Sequence, residues 1–324
     1  MDVPGIHHVT AICSDPQRNV DFYAGTLGLR LVKKTVNFDD PTAYHLYYGD
    51  RVGTPGTIMT FFAWPGARRG RVGVGQVSTT SFSVPEASLD RWRDHLRGRG
   101  VTVEGPGRRL DETYLGFEDP DGLRIELVGA ARHASGSEDG RVWDAGPLGA
   151  AHAIRGFHGV TLMEQGYERT AGLLTNVMGL RAAGGGESRF RYRTAGDGSE
   201  AIVDLLCRPE GAHGAVAVGT VHHVAFRARD DEEQGRLREA LIEHGLDATP
   251  VIDRQYFHSV YFREPGGILF EIATDPPGFT RDEPVETLGE ALELPPWLEG
   301  SRHALEQALP PITLPAAAAG PSAG

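Results

Sequence analysis

Two pairs of adjacent histidines stand inside short apolar runs at opposite ends of the sequence. The first run is Ile6-His7-His8-Val9-Thr10, and the second is Val221-His222-His223-Val224-Ala225-Phe226. A third run, Ile268-Leu269-Phe270-Glu271-Ile272, carries a single glutamate. All three are typical of β-strands, in which an unpaired imidazole or carboxylate is costly to bury. Two histidines and one carboxylate are the ligand set of a facial iron site, and we therefore expect a metal centre that these three strands share.

Strand alternation selects one histidine from each pair, because successive side chains of a strand point to opposite faces. His223 and Glu271 share their faces with small residues that leave room for a ligand, whereas His222 shares its face with large apolar residues. The alternation predicts that His8, His223 and Glu271 face one cavity. It directs His7 and His222 toward the face that packs against helices. A single histidine is usually an ordinary core or surface residue, but three such groups in matching strands are hard to explain without a ligand.

Length, charge and cysteine content narrow the class of protein. A chain of 324 residues corresponds to about two domains. The formal net charge of −12 argues against nucleic acid or an anionic membrane as a partner. No stretch is long and apolar enough to span a membrane, and residues 1–5 lack the features of a signal peptide. Cys13 and Cys207 lie in apolar runs and are expected to be free, buried thiols, and so we predict a cytoplasmic protein.

Internal repetition shows how the chain is organised. Two motifs recur with the same spacing, His7–Thr10 before Leu27–Arg30 and His158–Thr161 before Met178–Arg181. Between the members of each pair, residues 16–26 and 167–177 have the apolar spacing of an amphipathic helix. The halves of the chain therefore carry similar units.

A second repeat places a proline–glycine turn before a strand with a carboxylate. Asp119-Pro120-Asp121-Gly122 precedes Glu126, and Glu264-Pro265-Gly266-Gly267 precedes Glu271. The two repeats together divide the chain into four similar units, each a strand, a helix and several more strands. We predict an N-terminal half at 1–133, a C-terminal half at 154–280 with two units each, and a C-terminal arm at 281–324. The linker covers 130–153, and the Pro/Ala/Gly tail from Pro315 is expected to be disordered.

This pattern resembles the vicinal oxygen chelate superfamily (glyoxalase, bleomycin-resistance and extradiol dioxygenase proteins). Within it, the chain is most similar to hydroquinone-type ring-cleaving dioxygenases. The resemblance covers roughly residues 5–312 and lies in His7–Thr10, Arg30–Val36, Gln76–Phe82, Phe262–Glu271 and a C-terminal Leu-Pro-Pro segment. It implies an α+β fold in which four βαβββ modules form two cupped mixed sheets around a divalent metal.

The resemblance also implies an activity, that of an extradiol-type dioxygenase that takes part in the degradation of aromatic compounds. Such an enzyme holds Fe(II), with Mn(II) as another possible metal, and takes a small aromatic substrate and O2; a homo-oligomer is compatible with it. The implied ligands are His8, His223 and Glu271, the set that alternation selects. Residues that match Arg254, Tyr261, Thr10, His222 and His7 lie near the metal or substrate in the family. Arg254 would stabilise negative charge on the substrate, and Tyr261 would donate a hydrogen bond near the open coordination positions.

Three alternatives remain open at the level of the sequence. Units two and three hold Ser78, Thr79, Glu126, His158 and Asp204 at matching positions, which we interpret as a degenerate copy of the site. His158 is the main rival to His8 as a ligand. A glyoxalase-type isomerase or thiol transferase would need a second carboxylate, which the strand near 57–61 does not offer. A metal-free protein that binds or sequesters a small molecule is the remaining alternative.

Overall fold

The structure is a computed structural model that describes residues 2–130, 141–196 and 200–315. The chain folds into four βαβββ modules, as the repeats predict. The first module contains β1 (Ile6–Cys13), α1 (Pro16–Val20), β2 (Arg30–Val36), β3 (Tyr44–Gly49) and β4 (Ile58–Ala63). The second contains β5 (Gln76–Pro85), α2 (Leu89–Gly98), β6 (Glu104–Arg109), β7 (Glu112–Glu118) and β8 (Arg124–Ala130).

The C-terminal modules repeat the order of elements. The third contains β9 (Gly156–Glu164), α3 (Glu168–Gly172), β10 (Arg181–Gly185), β11 (Arg189–Arg193) and β12 (Ile202–Cys207). The fourth contains β13 (Val221–Ala228), α4 (Asp231–Glu243), β14 (Ile252–Asp253), β15 (Phe257–Arg263) and β16 (Leu269–Pro277). Helices α1 and α3 each continue as a π-helix, over Asp21–Thr26 and Leu173–Val177.

The strands form two eight-stranded mixed sheets, each of which takes one module from each half of the chain. The first sheet has the order β14-β15-β16-β13-β1-β4-β3-β2, so it unites modules one and four. The second has the order β10-β11-β12-β9-β5-β8-β7-β6 and unites modules two and three. The predicted fold class is therefore confirmed. The first sheet brings the N-terminal histidine pair on β1 beside the second pair on β13.

The helices bury the apolar residues that the sequence pattern marks. Asp15 caps α1, and its carboxylate accepts a hydrogen bond from the Arg18 backbone amide at 2.7 Å. Val20 and Tyr23 are fully buried on this helix and belong to a large apolar core shared by the four modules. A smaller apolar cluster, which includes Phe257 and Tyr47, lies on the side of the first sheet that carries the histidines.

Each central ladder contains two β-bulges at corresponding positions. In the ladder of β1 and β13, His7 and His222 are extra residues with no partner directly opposite. In the ladder of β5 and β9, the extra residues are Ser78 and His158. Because a bulge interrupts the alternation of side chains, the residue next to it can point to the same side as the bulged residue.

The C-terminal arm packs back on the first sheet. The Lys33 ammonium is fully buried and contacts Asp282 at 2.6 Å and Glu283. The ring of Phe279, just before the arm, lies 5.1 Å from that of Tyr47, and the arm contains helix α5 (Arg302–Ala308). The tail predicted from Pro315 lies, apart from Pro315 itself, outside the described residues, as does 131–140 of the predicted linker.

Candidate metal centre

Three side chains from β1, β13 and β16 meet at one point inside the first sheet. The Nε2 atoms of His8 and His223 are 3.2 Å apart, and Glu271 Oε2 lies 3.3 Å from the first and 3.0 Å from the second. Ligand atoms about 2.1 Å from a common centre and at right angles to each other lie about 3 Å apart. The three atoms therefore have the spacing of one triangular face of a coordination octahedron.

The carboxylate of Glu271 is aimed by its neighbour on β15. Ser259 donates a hydrogen bond to Glu271 Oε1 at 2.5 Å. Glu271 Oε2 is buried and makes no hydrogen bond, so this oxygen remains for the two histidines or for a cation between them. Burial acts to raise the pKa of Glu271, but His8 and His223 outweigh it and hold the pKa well below its usual range. A buried carboxylate that stays charged and has one oxygen without a hydrogen bond fits a metal ligand.

Each of the two converging histidines is hydrogen bonded to the histidine that precedes it. The Nδ1 atoms of His7 and His8 are 2.9 Å apart, and those of His222 and His223 are 2.8 Å apart. Such contacts require both rings of a pair to lie on the same side of the strand. The expectation that His7 and His222 point to the helix-packed face is therefore wrong. The bulges at these two residues are the reason, because they break the alternation from which the expectation was drawn.

A cavity of about 410 Å³ opens beside the convergence point. Its aromatic walls are formed by Phe38, Phe62, Trp64 and Phe257. Its polar lining includes His8, His223, His222, His45, Arg254 and Tyr261. His222 thus faces the cavity directly, whereas His7 is buried behind it against the ring of Phe257, with the ring centroids 5.0 Å apart.

A chain of hydrogen bonds on the neighbouring strands was not foreseen from the sequence. His45 on β3 makes contacts through both ring nitrogens, Nε2 with Thr60 Oγ1 at 2.6 Å and Nδ1 with the Tyr47 hydroxyl at 2.9 Å. Thr60 in turn lies 3.1 Å from Thr10 Oγ1. The predicted residue Thr10 is thus fully buried and reaches the cavity through Thr60 and His45. The alternation of β3 does put His45 and Tyr47 on one face, but only the pairing of β3 with β4 shows that this face meets the site.

Arg254 and Tyr261 lie together on the opposite wall. Arg254 Nε donates to the Tyr261 hydroxyl at 3.3 Å, and its guanidinium carbon lies 5.4 Å from the centre of the Tyr261 ring. Arg254 also pairs with Asp39 at 3.1 Å, across the mouth of the cavity. Burial, followed by Glu271, raises the pKa of Tyr261, so this phenol stays protonated. Burial lowers the pKa of His45 well below 6.5 and that of His222 to about 3, so both imidazoles are neutral at pH 7.

The corresponding region of the second sheet is filled by ion pairs. Glu126 lies at the position that matches Glu271 and pairs with Arg109 through both carboxylate oxygens, at 2.7 and 2.8 Å. Asp204 pairs with Arg191, and His158 lies 3.0 Å from Glu112. Among the described residues, His8, His223 and Glu271 are the one group of three or more side chains with metal-binding geometry.

Comparison with known proteins agrees with this architecture. The sequence model of the Glyoxalase/Bleomycin resistance protein/Dioxygenase superfamily matches residues 5–127 and 156–272, and the chain belongs to this superfamily. It is 49% identical over 308 residues to the "Putative ring-cleaving dioxygenase MhqO" of Bacillus subtilis (strain 168), covering 95% of this chain and 96% of that protein. It is 36% identical to the chlorohydroquinone/hydroquinone 1,2-dioxygenase of Sphingobium indicum, covering 94% and 95% of the two chains.

A solved structure from Bacillus subtilis subsp. subtilis str. 168, titled "putative dioxygenase", superposes with a TM-score of 0.92. It is 47% identical and covers 97% of this chain and 99% of its own. The two curated relatives described above thus carry the names of dioxygenases. Across the described residues, no helix is long and apolar enough to cross a membrane.

Proposed function

We propose that this protein is a ferrous, extradiol-type dioxygenase that cleaves the ring of a hydroquinone or a related dihydroxy-aromatic and inserts both atoms of O2. The observation that carries the proposal is the convergence of His8, His223 and Glu271 within 3.3 Å of one another at the wall of an aromatic cavity. Two imidazoles and one carboxylate on one face suit Fe(II), with Mn(II) as another possible metal, and leave open positions for substrate and O2. We further propose a cytoplasmic location.

The histidine pairs would fix the tautomer of each ligand. A histidine that offers the Nε2 lone pair to a metal carries its proton on Nδ1. The Nδ1 of His8 would then donate to His7, and that of His223 would donate to His222. These contacts are the kind of outer-shell hydrogen bond that orients metal ligands and increases their basicity. His7 and His222 would therefore act on the metal through the ligands beside them.

The cavity has the size and lining for one substituted aromatic ring. A volume of about 410 Å³ lies within the usual range of small-molecule sites, and the rings of Phe62 and Phe257 offer surfaces for an aromatic substrate. Arg254 is the one cation among the lining residues, so it would stabilise negative charge on a substrate oxygen. His45, His222 and Tyr261 are uncharged at pH 7 and would hold substrate hydroxyls by hydrogen bonds.

The bound metal would lower the pKa of a coordinated phenol and pass electron density from the ring to dioxygen. The residues of the chain would orient the ring, exclude water and hold the protons of the substrate hydroxyls. A glyoxalase-type activity is less well supported, because the candidate fourth ligand position on β4 is Thr60, which is hydrogen bonded to His45 and Thr10.

The direct test is anaerobic reconstitution with Fe(II), followed by measurement of oxygen uptake with hydroquinone and with catechol. We expect uptake with hydroquinone and a ring-opened product that contains both oxygen atoms from ¹⁸O2. Uptake with neither diol would rule out the proposed activity, and uptake with catechol alone would assign a different substrate class.

The ligand assignment has its own test. His223→Ala should abolish iron retention, because two remaining ligands hold a divalent cation poorly. Thr79→Ala is a matched control, since Thr79 follows the corresponding bulge of the second sheet. Iron content after gel filtration is the measurement. A His223→Ala variant that still holds one iron per chain would show that the assignment is wrong.

A further inference from the structure

The turn between β14 and β15 contains one of the two non-glycine residues with a positive φ in the described part of the chain. Gln255 has a φ of 70° and is only 9% exposed. Across it, the Tyr256 backbone amide donates to the Arg254 backbone oxygen at 2.8 Å. A hydrogen bond between residues i and i+2 with a positive φ at the residue between them is the rare and strained form of the γ turn. Since glutamine does not favour this conformation, its surroundings must impose it.

Two neighbouring side chains hold the backbone of Gln255. Asp253 Oδ1 accepts a hydrogen bond from the Gln255 backbone amide at 2.7 Å. Arg281 Nη1 donates to the Gln255 backbone oxygen at 2.8 Å. Asp253 precedes the turn, whereas Arg281 is the first residue of the C-terminal arm. Both backbone polar groups of the strained residue therefore have a side-chain partner, and one of these partners comes from a remote part of the chain.

The turn fixes the direction of the Arg254 side chain. The Arg254 backbone amide donates to the Phe257 backbone oxygen at 2.9 Å, and its backbone oxygen accepts from Tyr256. Arg254 lies opposite Phe257, because the register of the hairpin places Asp253 opposite His258. Residues opposite each other on neighbouring strands share a face, and Phe257 lines the cavity. The turn thus directs Arg254 into the cavity beside the candidate metal ligands.

The contacts at the tip of Arg254 are weaker than those of its backbone. Its Nε lies 3.3 Å from the Tyr261 hydroxyl, which is long for a hydrogen bond. Its other partner is Asp39, whose side chain is 74% exposed. Exposed ion pairs stabilise little, since water competes for both charges. The backbone of the turn, more than these contacts, therefore decides where the guanidinium lies.

We propose that Asp253, Gln255 and Arg281 are positioning residues, which hold the strained turn so that the Arg254 guanidinium stays in the cavity. The inference rests on the proposed function, in which Arg254 stabilises negative charge on a substrate oxygen. The C-terminal arm takes part in the site through Arg281. Misplacement of a catalytic group by about 1 Å can lower the rate roughly 100-fold, which is why a strained turn is retained here.

The first test replaces Gln255 or Arg281 in the Fe(II)-reconstituted protein and measures oxygen uptake with hydroquinone. Gln255→Val should lower kcat/KM roughly 10- to 100-fold, mainly through kcat, because a β-branched residue does not adopt a positive φ. Gln255→Asn should keep most of the activity, since asparagine tolerates this conformation. Arg281→Met should lower kcat/KM about tenfold. Arg281→Lys, which can still donate to the Gln255 oxygen, should restore part of the loss.

Arg302→Met is the matched control. Arg302 also lies in the arm and donates to a backbone oxygen, that of Leu292, at 2.8 Å. Its replacement should leave kcat/KM unchanged. A double variant tests whether Arg281 acts through Arg254, because residues that act through one another have non-additive effects. In the Arg254→Met background, Arg281→Met should change kcat/KM by less than roughly twofold. A full further loss would show that Arg281 only stabilises the fold and would overturn the proposal.

Crystal structures of the variants without substrate need no turnover, so they separate this inference from the proposed activity. In Gln255→Val and in Arg281→Met, the Arg254 guanidinium should lie away from the Tyr261 hydroxyl, whereas in Gln255→Asn and Arg302→Met it should stay in place. Displacement would support the positioning role even if hydroquinone consumes no oxygen. A guanidinium that keeps its position in either of the first two variants would overturn the proposal. If Gln255→Val does not fold, Arg281→Met alone decides the question.

Discussion

At the scale of single residues, the site depends on how each potential ligand is held. The Glu271 carboxylate has one oxygen fixed by Ser259 and the other facing two imidazoles. The histidines are fixed by their sequence neighbours. These supporting contacts decide which lone pairs point to the common centre.

Replacement of Ser259 by alanine should weaken metal binding without loss of a ligand. The expected change is a 10- to 100-fold lower affinity for Fe(II) or Mn(II), which is usual when a group that orients a ligand is removed. Competition with a chelator would measure it. Ser81→Ala removes a Ser–Glu hydrogen bond, to Glu126 in the second sheet, and should leave the affinity unchanged. Equal effects of the two substitutions would contradict the orienting role.

The sequence indicated the three converging residues because each is costly to bury alone in an apolar strand. It did not give the direction of His222, since the bulge depends on the partner strand and leaves no local signal in an apolar run. Ser259 and His45 were not identified from the sequence, for a related reason. Serine and histidine in half-buried strands are common, and only the pairing of β15 with β16 and of β3 with β4 brings them to the site.

A second buried group of carboxyls lies where β9 meets the turn before β16. Thr170 Oγ1 is 2.8 Å from Glu164 Oε2 and 2.6 Å from Glu264 Oε2. A hydroxyl has one proton and can donate to only one of these oxygens. The other carboxyl must therefore be protonated and donate to Thr170. Burial, with the added repulsion of Glu264, raises the pKa of Glu164 to about 8.

This pair predicts a pH-dependent stability. The folded state keeps a proton on Glu164 up to about pH 8, whereas the unfolded chain releases it near 4.5. The folded state thus binds more protons between these values, and the free energy of unfolding should fall as the pH rises from 4.5 to 8, by roughly 2–4 kcal/mol. Urea unfolding between pH 5 and 9 would measure this. Glu164→Gln should flatten the profile, while Glu168→Gln, an exposed neighbour, should leave it unchanged; a profile unaffected by Glu164→Gln would refute the assignment.

At the scale of elements, the two sheets surround their buried carboxylates in two different ways. Both central ladders have bulges at corresponding positions, but the position that matches His8 is Gly159. A Cβ atom there would lie 2.2 Å from the Ile202 backbone oxygen, so no side chain fits. Arg109 and Arg191 provide positive charge to Glu126 and Asp204. In the second sheet, guanidinium groups thus lie beside the carboxylates at the positions that match the proposed metal site, in line with its interpretation as a degenerate copy.

The buried ion pairs of the second sheet should be essential to its stability. Arg191→Met removes an ion-pair partner of the Asp204 carboxylate, which is only 2% exposed. We expect a loss of about 3–5 kcal/mol in the free energy of unfolding. Adding Asp204→Leu should recover part of this loss, because both charges are then gone. Urea unfolding of the two single variants and the double variant would measure the coupling. Additive losses would show that the pair does not act as a unit.

At the scale of the whole molecule, the order of modules along the chain differs from their association in space. Modules one and four form one sheet, and modules two and three the other. The repeats predict the four modules, but because all four are alike they do not say which ones pair. The pairing could be predicted only from the histidine pairs and the family resemblance, which placed His8 with His223 and Glu271. The division of the chain into halves at 1–133 and 154–280 remains a prediction about the repeat.

The C-terminal arm is attached to the first sheet through the buried ammonium of Lys33. Lys33 has no exposed surface, and its ammonium contacts Asp282 and Glu283 and lies 5.0 Å from the centre of the Tyr256 ring. Tyr256 also donates to Asp282 at 2.9 Å. Since Phe279, just before the arm, packs on Tyr47, which lines the cavity of about 410 Å³, the segment that leads into the arm supports that wall of the site.

Lys33→Met should therefore affect both stability and the site. It leaves two acidic groups without their cation, one of them buried, and we expect a loss of about 3–5 kcal/mol in the free energy of unfolding, together with faster proteolysis within the arm. Lys34→Met removes only a hydrogen bond at the surface, from Lys34 Nζ to the Glu290 backbone oxygen, and should change stability by less than about 1 kcal/mol. Adding Asp282→Asn and Glu283→Gln to Lys33→Met should restore part of the stability, because the uncompensated charge is removed. If limited proteolysis cut the arm equally fast in the wild type and in Lys33→Met, the buried cation would not be what holds the arm in place, and the wall behind Tyr47 would depend on apolar packing alone.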